Sequence, residues 1–501
     1  MKIYLSKYAR WDAPLFNVLG YVFLSVGFLL ALQSLVAIYY SEPTEPFLYP
    51  AFISMLVSLP FITLFKRSKN MRVSEGLLLI VLSWVVVIFV GCVPFVMSGM
   101  SFVNAIFESA SGFTTTGSTV MENLGTQPYS ILMWRSASNW IGGMAVILIF
   151  MMLLPLLGAG ASSVSINETQ GANPRKFSAR TRDIVKQFMV IYIVFTVILA
   201  IICKCLGVTM FESICIALAT ISTGGTIPVT SLGVYSVWVQ IMVMVFMFLG
   251  GTNFYLHYRA IYGRRLDGYF SNTEFKAMAV WFTIAIALVF VILTVQTHFV
   301  EMTLEAFKDV AFTVVSLGTT TALTTTDVGV WPMAAIFILM MVMFLGGSSG
   351  STSAGVKIYR FVLLVKYIRA AVLKTLHPRA IFDIKMDGES VGSEAVSSAI
   401  AMMMLFFITG IIGAVVVMLY GYDIFDSVSL SMSFISNNGL VLTGGFATEN
   451  FVLLPDSLKI FLSVIMWMGR MEILMAMALF LPSFWKEISI SVKKKKKIKS
   501  Y

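Results

Sequence analysis

The chain has 501 residues, 58% of them hydrophobic and only 12% charged, with a mean hydropathy of +0.88. A soluble domain of this length needs far more polar surface, so the composition leaves a polytopic membrane protein. A formal charge of +10 would suggest nucleic acid in a soluble protein, but here its placement along the chain matters more than its sum.

In chain order, two apolar runs come first, Leu15–Tyr40 and Tyr49–Phe65, joined by the acidic, proline-containing Glu42–Pro46 turn. They form an N-terminal pair, residues 1–73; the first run starts too late and is too long for a cleavable signal. One unit then recurs over 74–183, 184–274, 275–393 and 394–488: a spanning helix, a short re-entrant helix, a polar loop and a second spanning helix. The expected fold is therefore all-α: ten transmembrane helices, two N-terminal and eight in four pseudo-repeats of helix–pore loop–helix around a central pore. Residues 489–501 form a basic cytoplasmic tail, with Lys493–Lys497 an anchor to anionic lipid.

The spacing of Pro and Gly supports the repeat. Pro128, Pro332 and Pro455 each stand fourteen residues before Gly142, Gly346 and Gly469. The second unit lacks the proline but has Gly250-Gly251 twenty-six residues after Gly224. The basic residues set the topology: thirty of the thirty-five lie in segments 1–11, 66–73, 159–186, 259–276, 357–385 and 486–501, which puts these inside and both termini in the cytoplasm. The outer segments hold one basic residue, Lys308, but several acids, among them Glu108, Glu122, Glu212, Asp327 and Asp423. Such acids concentrate cations in a vestibule, and Glu108 and Glu212 are equally suited to capping the short helices. Arg135, Lys204 and Lys459 lie within snorkelling reach of the outer surface and read as anchors. Arg175, Lys176, Arg180 and Arg182 suit either a cytoplasmic docking face or simple topology-setting charge. Four cysteines in or beside apolar runs, Cys92, Cys203, Cys205 and Cys215, lack zinc-site spacing and read as reduced thiols.

The polar loops carry the chemistry. They are Ser111–Gly117, Thr220–Gly225, Thr319–Ala322 and Ser436–Gly439. Four such loops at membrane depth can line one axis with carbonyl oxygens that replace a cation's water. The candidate filter is Thr115, Thr116 and Gly117; Thr223 and Gly224; Thr320, Thr321 and Ala322; and Asn437, Asn438 and Gly439. Glycine allows the unusual dihedrals that turn adjacent carbonyls to one axis, and each loop follows the negative end of a short helix dipole. In the third unit the Gly/Ser stretch 346–356 should break its helix roughly 21 Å below Pro332, at ~1.5 Å per residue. Irregular backbone there lines a cavity or is buried in protein, and a flap across the path fits it: Gly346, Gly347, Ser348, Ser349 and Gly350 are gate candidates. Arg470, at the matching depth of the fourth unit, is expected to bond to carbonyls or hydroxyls of 347–353 and tie the gate shut.

Several of these segments resemble one family. Phe107–Gly117 and Trp140-Ile141-Gly142-Gly143-Met144 are similar to the first pore loop and following helix of the Trk/Ktr/HKT potassium-transporter superfamily. Gly250–Tyr258, Gly346–Lys357 and Gly469-Arg470-Met471-Glu472 resemble segments of its TrkH branch, the last two its gating loop and its arginine segment. The resemblance implies potassium as the transported ion, with no covalent cofactor. It also implies a homodimer with one pore per subunit in a bacterial or archaeal inner membrane. A cytoplasmic nucleotide-binding regulatory ring of the TrkA/KtrA type would hold the only nucleotide. Ala322 departs from the family's glycine; because alanine tolerates positive φ poorly, a different backbone or a sodium-permeable filter is an open alternative. An embedded enzyme is the remote alternative, disfavoured by three scattered histidines, His257, His298 and His377, and no acid/base constellation.

Overall fold

The computed structural model describes residues 14–65, 73–157, 174–296, 303–379, 383–442 and 450–488. Met1–Arg10, most of the basic 66–73 segment, His298 and the lysine tail lie outside them, as do the side chains of Arg175, Lys176, Arg180 and Arg182. The chain divides into two compact units, 1–110 with 127–134 and 471–501, and 111–126 with 135–470.

In the first unit, α1 (Pro14–Tyr39) and α2 (Glu45–Leu64) form an antiparallel hairpin. The Asn17 amide donates to the Ile62 and Phe65 carbonyls, tying the open end of the hairpin. Its Glu42 turn does more than connect. The carboxylate accepts the Tyr129 and Ser130 N–H groups at 2.7 and 2.8 Å, satisfying the first donors of α6 (Tyr129–Leu157), where a negative charge also suits the helix dipole. α3 (Val73–Gly91), α4 (Val93–Met97) and most of α5 (Phe102–Phe113) complete this unit. Leu24, Phe28, Leu32 and Leu35 on α1 are exposed, as expected where the surrounding solvent is hydrocarbon.

The second unit has an extended core running from Ile147 through Met247 and Phe282 to Leu442, with a small separate cluster of Leu363, Met386 and Ala399. Its helices are α7 (Pro174–Cys205), α8 (Met210–Ile221), α9 (Val237–Gly250), α10 (Phe254–Ile261), α11 (Asp267–Ser271) and α12 (Thr273–Gln296). They continue as α13 (Leu304–Gly318), α14 (Met333–Leu345), α15 (Ile358–Leu376), α16 (Ser393–Met418), α17 (Ile424–Ile435) and α18 (Asp456–Arg470), with α19 (Ile473–Ala478) after them in the first unit. A two-stranded hairpin, β1 (Lys385–Met386) and β2 (Glu389–Ser390), interrupts the helices.

A short helix, a polar loop, a 3-10 turn and a further helix follow one another four times. The 3-10 turns are Leu124–Thr126, Leu232–Val234, Val328–Val330 and Asn450–Leu453. A long second helix, expected after every loop, occurs only after the first loop, as α6. The others stop after 14, 13 and 15 residues at Gly250, Leu345 and Arg470. α9 and α10 meet at a bend of 99°. Among the described residues six helices are long and apolar enough to cross a membrane, or seven with that bent pair. The breaks fall where the sequence places its glycines.

Candidate functional site

Each short helix is closed at both ends by its own sequence. At the N-termini, Ser101, Thr209, Thr303 and Asp423 accept the N–H groups of Asn104, Glu212, Ala306 and Phe425. The Glu212 carboxylate also accepts the Thr209 hydroxyl at 2.8 Å, placing its negative charge at the helix N-terminus. Glu108 does not cap: it lies in the middle of α5 and is buried, because the helix starts earlier than its acid.

The C-termini share one motif. Thr116, Gly224, Thr321 and Asn438 donate their N–H back to Ser111, Ala219, Ser316 and Ser433, and the preceding residues donate to Gly112, Thr220, Leu317 and Phe434. This paired 6→1 and 5→2 pattern requires a left-handed residue at the turn. Thr115, Thr223, Thr320 and Asn437 supply it, with φ of 54°, 52°, 56° and 50°. Two residues on, φ is positive again at Gly117 (87°), Gly225 (73°), Ala322 (59°) and Gly439 (79°). The four loops thus carry one backbone register, with φ alternating in sign.

That register corrects the sequence reading in two places. The residue equivalent to Gly117 in the second loop is Gly225, not Gly224, which holds the place of Thr116; two adjacent glycines hid the offset. Ala322 does not give the third loop a different backbone. It takes the same left-handed conformation as the glycines, at a cost of ~1–2 kcal/mol. Ala322→Gly should therefore stabilise the protein by about 1 kcal/mol, after allowing for glycine's unfolded-state entropy. A rise in the thermal midpoint in detergent checks this.

The loops interlock. A Cβ on Gly117 would fall on the Gly224 carbonyl oxygen, one on Gly225 on the Thr321 oxygen, and one on Gly439 on the Thr116 oxygen. Gly117, Gly225, Ala322 and Gly439 all line one cavity of about 430 Å³, whose wall also includes Glu122 and Arg135. The loop side chains are buried and bonded both within and between repeats. Thr114 with Thr116, and Thr319 with Thr321, share hydroxyl hydrogen bonds of 2.8 Å. Asn437 donates to Thr116 Oγ1 (3.0 Å) and to the Met466 carbonyl (2.7 Å), while Asn438 donates to the Leu317 carbonyl. The asparagines of the fourth loop therefore brace its neighbours.

Arg135 and Lys459 are not the surface anchors expected. Both are buried, Arg135 at the cavity and Lys459 with its ammonium donating to the Val452 carbonyl at 2.7 Å. Cys92, Cys203 and Cys215 are buried free thiols, and Cys205 is an exposed one.

The 346–357 segment leaves α14 at Gly346 (φ 69°) and runs against the ends of α8 and α9 and the third loop. The Ser348 N–H donates to the Gly251 carbonyl, and the Ala354 N–H to Thr320 Oγ1 at 2.8 Å. The Thr352 hydroxyl lies 3.0 Å from the Ile221 carbonyl and 2.9 Å from that of Gly250. Gly346, Gly347, Ser348, Ser349 and Gly350 thus share one segment bonded to the loops, Arg470 being the outlier. Arg470 is 6% exposed, yet its buried Nε, Nη1 and Nη2 have no hydrogen-bond partner among the described residues. The expected bonds to 347–353 are not made: Arg470 ends α18 beside Gly469, which packs on the Ile435 carbonyl and Asn437 of the fourth loop.

Capped short helices presenting their negative ends to carbonyl-bearing loops, in a chain of apolar helices, are the parts from which cation pathways are built. The sequence pattern of the TrkH family, described as a cation transport protein, matches residues 49–487, and the chain belongs to that family. Its relatives are transporters, not enzymes. The Trk system potassium uptake protein TrkH of Escherichia coli K12 is 29% identical over 429 residues, 84% of this chain and 88% of that protein. The protein of the same name from Vibrio parahaemolyticus is 30% identical over 494 residues, 92% and 98% of the two chains. The crystal structure of the potassium transporter TrkH from Vibrio parahaemolyticus matches with a TM-score of 0.87 at 27% identity, covering 94% of this chain and 99% of that one.

Proposed function

We propose that this chain is the ion-conducting membrane subunit of a potassium uptake system. Four pseudo-repeats surround one pore, and Thr115–Gly117, Thr223–Gly225, Thr320–Ala322 and Asn437–Gly439 coordinate the ion. The observation that carries this reading is the shared backbone register of four loops whose last residues line one cavity. Alternating φ turns successive peptides so that their oxygens can face one axis, and the helix dipoles add negative potential there. The membrane potential, about 2.3 kcal/mol per charge per 100 mV, drives entry without chemistry in the chain.

In this reading the 346–357 segment is the gate under the filter, and Arg470 adds an electrostatic barrier. Both termini are cytoplasmic, two copies associate in the inner membrane, and a nucleotide-binding ring of the TrkA type acts on the inner face. The names of the relatives support potassium as the cargo. Ala322 is the ground for the sodium-permeable alternative, and its glycine-like backbone leaves that alternative without support from the loop geometry.

Tracer rubidium entry into proteoliposomes tests the reading. Excess potassium should abolish entry, and equal sodium should leave most of it. Stronger block by sodium than by potassium would assign the pore to sodium instead.

A further inference from the structure

Glu274 is 5% exposed at the start of α12, and the filter and gate as proposed leave it without a role. Its Oε1 accepts two backbone N–H groups, from Ser349 at 2.6 Å and from Tyr359 at 3.2 Å. These residues flank most of the 346–357 segment, so one carboxylate holds both its descending and its departing limbs. One turn along the same helix, Met278 Sδ meets the Ser348 hydroxyl at 3.8 Å. A buried carboxylate accepting amide N–H groups makes stronger bonds than a neutral acceptor, and unmaking them leaves charge and donors unsatisfied.

The position of Glu274 is set from elsewhere. The β1–β2 hairpin turns through Asp387 (φ 50°) and Gly388 (φ 89°), a two-residue Asp-Gly turn of the kind that matches strand twist. The Asp387 carboxylate accepts the Thr273 N–H at 2.6 Å and the Asn272 side-chain amide at 2.9 Å, capping the helix one residue before Glu274. Met386 of the hairpin packs with Leu363 and Ala399, against Tyr359. Lys366 of α15 donates to the Lys385 carbonyl. The hairpin therefore grips both elements that meet at Glu274.

We propose that Glu274 is a positioning residue that latches the 346–357 segment beneath the four loops, and that the Asp387 turn is the handle through which force on the inner face releases it. The inference rests on the gating role proposed above. It adds a specific latch and a route to it, both outside the filter and the gating segment. Displacing the hairpin removes the cap of α12, shifts Glu274, and frees both limbs of the segment at once.

Rubidium entry into proteoliposomes containing the full chain alone tests this with Glu274→Ala, Glu274→Gln, Asp387→Ala and a deletion of 348–352 measured together. Loss of two charge-assisted bonds should raise the initial rate about tenfold in Glu274→Ala. Asp387→Ala, one step removed, should raise it about threefold. Glu274→Gln keeps a carbonyl acceptor and should rise less than the alanine variant. Block by potassium should persist in all, because the filter is untouched. A merely structural role would lower flux and the thermal midpoint in Glu274→Ala without recovery in Glu274→Gln, and would overturn the proposal. Wild-type rates in Glu274→Ala and Asp387→Ala beside fast entry in the deletion would sink the latch and leave the gate standing. Wild-type rates in all of them would sink both.

Discussion

Arg470→Ala should raise rubidium entry about 30-fold without lowering the stability of the protein. Both parts follow from a buried guanidinium that finds no partner among the described residues. At an effective dielectric of about 20, a unit charge 4 Å from a cation is worth ~4 kcal/mol, and at twice that separation ~2 kcal/mol. Two kcal/mol on a barrier is roughly 30-fold in rate. The stability half separates an unpaired charge from a paired one. Breaking a buried ion pair typically costs 3–5 kcal/mol, whereas removing an uncompensated charge relieves a desolvation penalty. Arg470→Ala is thus expected to unfold at the same temperature as the parent or higher, in detergent at neutral pH. Arg470→Lys retains the charge and should stay near the parent rate. A thermal midpoint several degrees lower in Arg470→Ala would mean that the guanidinium is paired in the folded protein.

The break after α14 was legible because glycine acts locally. The stops of α9 and α18, where long helices were expected, were not, and Gly142 lies inside an unbroken α6. Pro332 to Gly346 and Pro455 to Gly469 nonetheless measure the helices α14 and α18 to within a residue. Composition and hydropathy likewise suffice for a helical membrane chain. What escaped the sequence depended on where a side chain lands in three dimensions. Arg135 and Lys459 are long enough to snorkel, but the folded chain buries both, Arg135 at the loop-lined cavity and Lys459 against the Val452 carbonyl. Glu108 and Glu212 look alike in their local sequence, yet only Glu212 falls on a first turn. The offset between Gly224 and Gly225 becomes visible only through φ, since either glycine satisfies a sequence pattern. Glu274 and Asp387 gave no signal. An acid in the first turn of a helix and an Asp-Gly turn are ordinary, and their meaning arises from one carboxylate reaching a segment seventy-five residues away.

Gly439→Ala should cost the proposed pore most of its preference for potassium over sodium, by about 30-fold, equivalent to ~2 kcal/mol of differential ion stabilisation. The added methyl would land on the Thr116 carbonyl oxygen, with Ser118 N and Oγ both 2.9 Å away. Two of those three atoms are backbone, so no rotamer change relieves the overlap, and the Thr116 peptide itself must move. The left-handed φ of 79° adds ~1–2 kcal/mol of strain for any side chain. Ala322 supplies the internal control. It occupies the equivalent place in the third loop at φ 59° and carries the same methyl in the native protein. Left-handed backbone alone is therefore compatible with folding, and the effect of Gly439→Ala comes from displacing a carbonyl. Ala322→Gly, which displaces nothing, should keep the parent's selectivity while gaining stability. Competition of sodium and potassium against tracer rubidium measures both variants. Parent-like potassium preference in a folded Gly439→Ala protein would mean that the Thr116 oxygen does not coordinate the ion, and with it the ring of four loops would lose its role.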